Sequence, residues 1–280
     1  MKGARPRQAA VLSGIAACCC LAIAALTALP GLPAGAAVGG FSILRVATRP
    51  GVTVRVALEI PLDHPSGVLV MFPGANGAGQ FREAGGAVIL GGNFLVRTAP
   101  QYLTRGWAVA IIDVPSDHPS GMSDDFRMSA AHAADVRKII ETLAAQSLGP
   151  VYLVGTSAGT TSVAYLGTVL TDGSIKGIVL TSTMRAVAAF PLSRVNVPVL
   201  IIHHQTDTCP STPPSSAERL PGLLKGSPKV TFVWARGGTT PTSTACEAFA
   251  AHGYIGIESE VVNVIARWAA GDEVPSVVGR

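Results

Sequence analysis

Six short runs of almost continuously apolar residues constrain the fold of this chain more than any other feature. They span residues 68–72, 108–114, 151–154, 175–180, 197–202 and 230–234. Runs of this length fit strands that are buried on both faces, as parallel sheets require. Segments of helical period lie between them, most clearly at 136–143 and 261–268. The alternation predicts an α/β fold, with a doubly wound, mostly parallel sheet and helices on both faces.

The N-terminal segment has the pattern of a secretory signal peptide. Lys2, Arg5 and Arg7 precede an apolar run over 9–29, and small residues follow at 34–37. Cleavage after Ala36 or Ala37 would place small residues where a signal peptidase reads them. Two alternatives are an uncleaved membrane anchor, since about 20 apolar residues can span a bilayer, and lipidation at Cys18. We expect a signal peptide over 1–37 and a periplasmic or secreted protein without a membrane span in the mature chain.

Length and composition fit one globular domain over 38–280. The chain has 280 residues, 48% hydrophobic and 14% charged, which leaves little room for a second core. The formal net charge is +4. Removing the three basic residues of the leader from the 21 in the chain leaves 18 against 17 acidic residues, a net charge of +1. This balance gives no electrostatic reason to expect nucleic-acid binding. The oligomeric state is not indicated.

Two cysteines remain once the leader is removed. Cys209 and Cys246 are 37 residues apart. In an oxidising compartment a disulfide between them would contribute on the order of 4 kcal/mol in the chain-entropy model. The alternative is two separate buried thiols.

A sharp turn follows the apolar run 151–154. It reads Gly155-Thr156-Ser157-Ala158-Gly159, and a helical stretch follows it. A nucleophile on such a strand-turn-helix junction sits in strained backbone, and its neighbours two residues away must be tiny. Ser157 is therefore the candidate nucleophile, and Gly155 and Gly159 are the glycines that permit the turn. An ordinary helix N-cap is the alternative role of this serine.

The strand-turn-helix motif and the order of elements resemble the α/β-hydrolase superfamily, in particular esterases similar to dienelactone hydrolase with a small or absent lid. The resemblance implies the chain order Ser, Asp or Glu, His. Asp207 follows the strand at 197–202, and His252 is the only histidine after the last strand. Asp207 is then the acid that orients His252, the general base. A turn-forming aspartate and a capping or exposed histidine are the alternatives.

The same resemblance implies an oxyanion hole made of two backbone N–H groups. One is that of Ala158. The second comes from the loop after residues 68–72, where Ala75 is the first candidate and Asn76 the next. The superfamily often begins this loop with a histidine, which Phe72-Pro73 replaces here.

The remaining histidines do not indicate a metal site, and we expect neither metal nor cofactor. His203 and His204 are adjacent on a strand, so their side chains point to opposite faces. Asp113, Ser116, Asp117 and His118 follow a strand at the predicted site edge and are candidates for lining it.

The sequence thus predicts a serine hydrolase that cleaves an ester, thioester or amide bond of a small-molecule or acyl substrate through an acyl-enzyme intermediate. The segment between Thr181 and Pro198 is short, which favours an open cleft. The alternatives are a catalytically inactive binding protein of the cell envelope with this fold, and a carbon–carbon lyase or haloperoxidase-type use of the same triad.

Overall fold

A nine-stranded sheet forms the centre of the molecule. The computed structural model describes residues 40–280, so the predicted signal peptide lies outside the described residues. The strand order is β1-β2-β6-β3-β7-β8-β9-β10-β11, and all neighbours pair in parallel except β1 with β2 and β2 with β6. The sheet strands are β1 (Ser42–Arg49), β2 (Val52–Glu59), β3 (Val68–Phe72), β6 (Ala108–Pro115), β7 (Val151–Thr156), β8 (Gly177–Thr181), β9 (Val199–His204), β10 (Val230–Ala235) and β11 (Val277–Val278).

Helices cover both faces of the sheet and create two apolar cores. One core joins α3 and α4 to the sheet, and the other joins α1 and α7 to the opposite face. The helices are α1 (Phe94–Leu103), α2 (Asp124–Arg127), α3 (Ala130–Ala144), α4 (Gly159–Val169), α5 (Pro214–Glu218), α6 (Leu220–Leu223) and α7 (Glu258–Ala269). The predicted α/β class, with a doubly wound and mostly parallel sheet, is confirmed.

The central strands are apolar along their whole length because both of their faces are covered. Every residue of β3, β8 and β9 is buried. This explains why their sequences read as continuous apolar runs and not as alternating ones. The two outer strands β1 and β2 alternate more, since β1 lies at the edge of the sheet.

A small hairpin, β4 (Phe81–Ala84) with β5 (Ala87–Leu90), is inserted between β3 and α1. Sequence reasoning missed it. Its turn is Gly85-Gly86, and both glycines have positive φ. The segment 181–198, which joins β8 to β9, forms two short 3₁₀ turns, Arg185–Ala189 and Leu192–Arg194. Within residues 40–280, which form one compact unit, no helix combines the length and apolar character needed to cross a bilayer.

Candidate active site

Ser157 lies in the turn that joins β7 to α4. Its φ is 52°, in the left-handed region that L side chains seldom adopt. A Cβ atom added to Gly159 would lie 2.0 Å from the Phe72 carbonyl oxygen, and one added to Gly155 would lie 2.7 Å from the Gly159 carbonyl oxygen. Both positions therefore require glycine, as the sequence motif indicated. The Ser157 N–H donates to the Thr181 carbonyl at 3.1 Å, which fixes the turn to β8.

Asp207 and His252 form a buried hydrogen-bonded pair beside this turn. Asp207 Oδ2 lies 3.0 Å from Nδ1 of His252. The Thr212 hydroxyl donates to the same carboxylate oxygen at 2.9 Å, and the Cys209 N–H donates to Oδ1 at 2.9 Å. Burial alone would raise the pKa of Asp207, but the hydrogen bonds and the adjacent imidazole outweigh it, so the pKa is lowered. The carboxylate is thus ionised at neutral pH and holds the His252 ring.

The backbone of His252 is held by residues that sequence reasoning missed. The Ser182 hydroxyl donates to the His252 carbonyl at 2.6 Å. Tyr254 accepts the Ser182 N–H at 2.9 Å and donates its own hydroxyl to the Ile202 carbonyl at 2.8 Å. Both Ser182 and Tyr254 have positive φ. The one feature of the sequence that could have indicated a role for Ser182 is its position directly after β8, at a strand end.

His203 lies next to the Asp207–His252 pair without a hydrogen bond to it, since its Nε2 is 3.6 Å from Asp207 Oδ2. Its Nδ1 accepts the Thr183 N–H at 3.3 Å, so Nε2 carries the proton and donates to the Thr212 carbonyl at 2.9 Å. Burial lowers the pKa of His203 to about 4, which keeps the ring neutral. His204 bonds instead to the Gly237 carbonyl at 3.1 Å. In the described part of the chain no group of three His, Cys, Asp or Glu side chains could hold a metal ion.

The loop after β3 packs directly against Ser157. A Cβ atom on Gly74 would lie 2.9 Å from the Ser157 Cβ. A turn closes with the Gly77 N–H donating to the Gly74 carbonyl at 3.0 Å, and Ala75 takes a φ of 51°. The N–H groups of Ala75 and Ala158 donate to no acceptor within residues 40–280. Ala75 lines the cleft together with Ser157, whereas Asn76 is not among the lining residues.

Two charged side chains brace this loop from behind. The Arg127 guanidinium donates to the Ala75 carbonyl at 2.9 Å and to the Ser162 hydroxyl at 3.2 Å. Arg127 is 1% exposed, and burial lowers its pKa to about 10. Asp113 accepts the Gly79 N–H at 2.9 Å. Asp113 thus braces the loop, and neither it nor 116–118 lines the cleft.

The cleft in front of Ser157 has a volume of about 160 Å³. Ser157 and His252 both line it, although no direct hydrogen bond joins them in the described structure. The walls of the cleft come from residues 74–75, 80, 93–94, 156–157, 246–248 and 252–253. The segment 181–198 therefore contributes no residue to the walls of the cleft.

A disulfide joins Cys209 to Cys246. Cys209 lies in the loop that hydrogen-bonds Asp207, and Cys246 lines the cleft near His252. The bond thus links the loop that contains Asp207 to the loop that leads to His252.

Solved structures with this architecture include several hydrolases. A cold-adapted esterase from an Arctic intertidal metagenomic library is 18% identical, with a TM-score of 0.53 over 81% of this chain and 92% of that one. Dienelactone hydrolase from Anabaena variabilis is 15% identical, with a TM-score of 0.57 over 84% and 98%. The protein has the α/β-hydrolase fold.

A third structure with this fold belongs to a puromycin-hydrolyzing peptidase of Mycobacterium tuberculosis. It is 12% identical with a TM-score of 0.58, and the match covers 85% of this chain but 40% of that one. The sequence itself matches no family model and no curated protein. At these identities the likeness is one of fold, and the chemistry must be argued from the site.

Proposed function

We propose that the protein is an exported serine hydrolase that cleaves an ester, thioester or amide bond, with a carboxylic ester as the preferred substrate. The observation that carries the proposal is the buried His252–Asp207 hydrogen bond at 3.0 Å, with His252 and the strained Ser157 in one cleft. A histidine whose Nδ1 is held by an ionised carboxylate presents Nε2 as a base. The Asp207 carboxylate also accepts hydrogen bonds from the Cys209 N–H and the Thr212 hydroxyl, which hold it in place beside the ring.

In the proposed reaction, His252 takes the proton of the Ser157 hydroxyl while the oxygen attacks the acyl carbon. The tetrahedral oxyanion accepts hydrogen bonds from the N–H groups of Ala158 and Ala75. Collapse expels the alcohol, thiol or amine, which takes the proton from His252 and leaves an acyl-serine. Water then gives a proton to His252 and attacks the acyl carbon of the acyl-serine. The second tetrahedral intermediate collapses and releases the carboxylic acid, while His252 returns the proton to the Ser157 oxygen. No cofactor enters the scheme.

A fluorophosphonate probe tests the nucleophile. We expect the purified mature protein to be labelled, and Ser157→Ala to abolish labelling and p-nitrophenyl ester hydrolysis together. Ser215→Ala is the matched control, because Ser215 is exposed on α5, and it should label as wild type. A folded wild-type protein that neither labels nor turns over any ester in an acyl-length series would contradict the proposal and favour a binding protein with this fold.

Export is part of the proposal. The disulfide is compatible with an oxidising compartment, and the N-terminal sequence supplies the signal-peptide pattern. Expression of the full chain in a Gram-negative host, followed by fractionation and N-terminal sequencing, should give a periplasmic protein that begins at residue 37 or 38. A product that keeps Met1, or one that carries lipid at Cys18, would contradict it.

A further inference from the structure

Two amide side chains line the cleft with Ser157. Gln80 follows the loop after β3, and Asn93 is the N-cap of α1. Asn93 Oδ1 accepts the Leu95 N–H at 3.0 Å, and Gln80 Oε1 accepts the Asn93 N–H at 3.0 Å. A backbone N–H can donate only to the oxygen of an amide. The oxygen atoms thus hold the loop, and neither NH₂ group takes part in these two hydrogen bonds.

Neither NH₂ group donates to an acceptor within residues 40–280. Each carries two N–H donors, so the wall of the cleft has up to four donors that the fold does not use. Gln80 is also held at a φ of 51°, in the left-handed region that L residues seldom adopt. Holding the loop needs only the oxygens, which Glu, Asp or Ser would also supply. The unused donors are what an amide adds.

Charge and size restrict what these donors could bind. Among residues 40–280, Glu247 is the carboxylate that lines the cleft, and no Lys or Arg of this part of the chain lines it. A carboxylate ligand would meet the Glu247 charge without a cation to balance it. The 160 Å³ volume is well below the roughly 300 Å³ at which drug-sized pockets begin. A compact, uncharged ligand with an oxygen acceptor meets both restrictions.

We propose that Gln80 and Asn93 form an amide-donor subsite, which binds an uncharged ether, hydroxyl or carbonyl oxygen of the ester substrate close to the scissile bond. This inference rests on the proposed hydrolase function and names its substrate class: short oxygenated esters, in preference to alkyl esters of equal length. Hydrogen bonds to the acceptor would replace those that it makes with water, whereas an alkyl group would leave the donors unpaired.

Isosteric ester pairs test the subsite. In the acyl series, p-nitrophenyl methoxyacetate is compared with p-nitrophenyl butyrate, and in the alcohol series 2-methoxyethyl acetate is compared with butyl acetate. The variants are Gln80→Glu, Asn93→Asp and Asn93→Ser, which all keep an oxygen for the loop. Asn93→Ser adds no charge and retains a good N-cap. Asn263→Asp, on the exposed face of α7, is the control for an added charge.

The quantity compared is the ratio of kcat/KM for the oxygenated ester to that for the alkyl ester. Comparing this ratio in a variant with the ratio in wild type removes the difference in intrinsic reactivity between the two esters. We expect each subsite variant to lower this ratio about fivefold in one of the two series, as the loss of one neutral hydrogen bond implies, and Asn263→Asp to leave it unchanged. The series that responds identifies the side of the scissile bond.

Two outcomes overturn the inference in distinguishable ways. If wild type hydrolyses the esters and all three variants keep the wild-type kcat/KM ratio in both series, the subsite is ruled out and the hydrolase function stands. Folded wild type that hydrolyses none of the four esters removes the hydrolase function and the subsite with it.

Discussion

At the residue scale, the candidates that could be proposed from sequence are those whose placement depends on local sequence or on chain order. Ser157 became a candidate because its glycines lie two residues away, and Asp207 and His252 because each follows a particular strand. The structure places His252 beside Asp207 and in one cleft with Ser157. Thr212 and Arg127 could not be found this way. Thr212 reaches Asp207 only through the folding of a Pro-rich loop, and Arg127 reaches Ala75 across 52 residues of chain.

Arg127 holds the loop after β3 with a buried guanidinium. This is unusual, because no carboxylate of the described chain lies within ion-pair distance of it. Burying an unpaired cation costs several kcal/mol, and an apolar side chain of similar volume is often more stable. The bond to the Ala75 carbonyl, however, orients the backbone turn whose Ala75 N–H we assign to the oxyanion hole. Stability and activity should therefore respond in opposite directions when Arg127 is replaced.

We predict that Arg127→Met lowers kcat for p-nitrophenyl esters about tenfold with little change in KM, since removing an oxyanion donor outright costs about 10²–10³ in kcat. The midpoint of urea unfolding should stay equal or rise. Arg219→Met, at an exposed position after α5, controls for lost charge and should match wild type. A variant with lower stability and unchanged kcat would show that Arg127 serves only the fold.

At the element scale, the buried strands were predicted to within about two residues, because burial on both faces imposes a continuous apolar pattern. The β4–β5 hairpin was missed for the opposite reason. Its strands have four residues each, and half of these residues are exposed, namely Arg82, Glu83, Ala87 and Ile89, so no buried apolar run marks them. The cleft walls from residues 80 and 93–94 flank this insertion, and their contribution could not be read from sequence.

The Cys209–Cys246 disulfide connects the loop that follows β9 to the loop that follows β10. We predict that the double variant Cys209→Ala, Cys246→Ala loses on the order of 4 kcal/mol of unfolding free energy. It should also lose kcat, because the Cys209 N–H that holds Asp207 and the wall beside His252 are released together. Urea unfolding and ester hydrolysis measure the two effects.

Reductant supplies the matched control for this prediction. Treating wild type with dithiothreitol should reproduce both losses, and the double variant should not respond to it. Equal activity and stability of wild type with and without reductant would mean that the two loops are held by their other hydrogen bonds alone.

At the scale of the whole molecule, burial favours the neutral ring of three histidines in the described chain, His132, His203 and His204. Burial lowers the pKa of His132 to about 3 and that of His203 to about 4, from an ordinary value of 6.5. Between these pKa values and pH 6.5 the unfolded chain binds protons that the folded chain does not. Stability therefore rises with pH across this window and is lost as the pH falls below 6.5. The rings act on the same equilibrium although His132 lies on α3 and His203 on β9.

We predict that the unfolding free energy of wild type falls between pH 6.5 and 4.5, and that His132→Leu removes about 1.4 kcal/mol per pH unit from that slope. Leucine suits the site, because Nε2 of His132 is buried without a hydrogen-bond partner in the described structure and the ring packs against Phe72 and Phe126. His64→Leu, on the exposed loop before β3, is the control. Urea unfolding at four pH values measures the slope, and a His132→Leu slope equal to that of wild type would show that this ring does not govern the acid sensitivity of the fold.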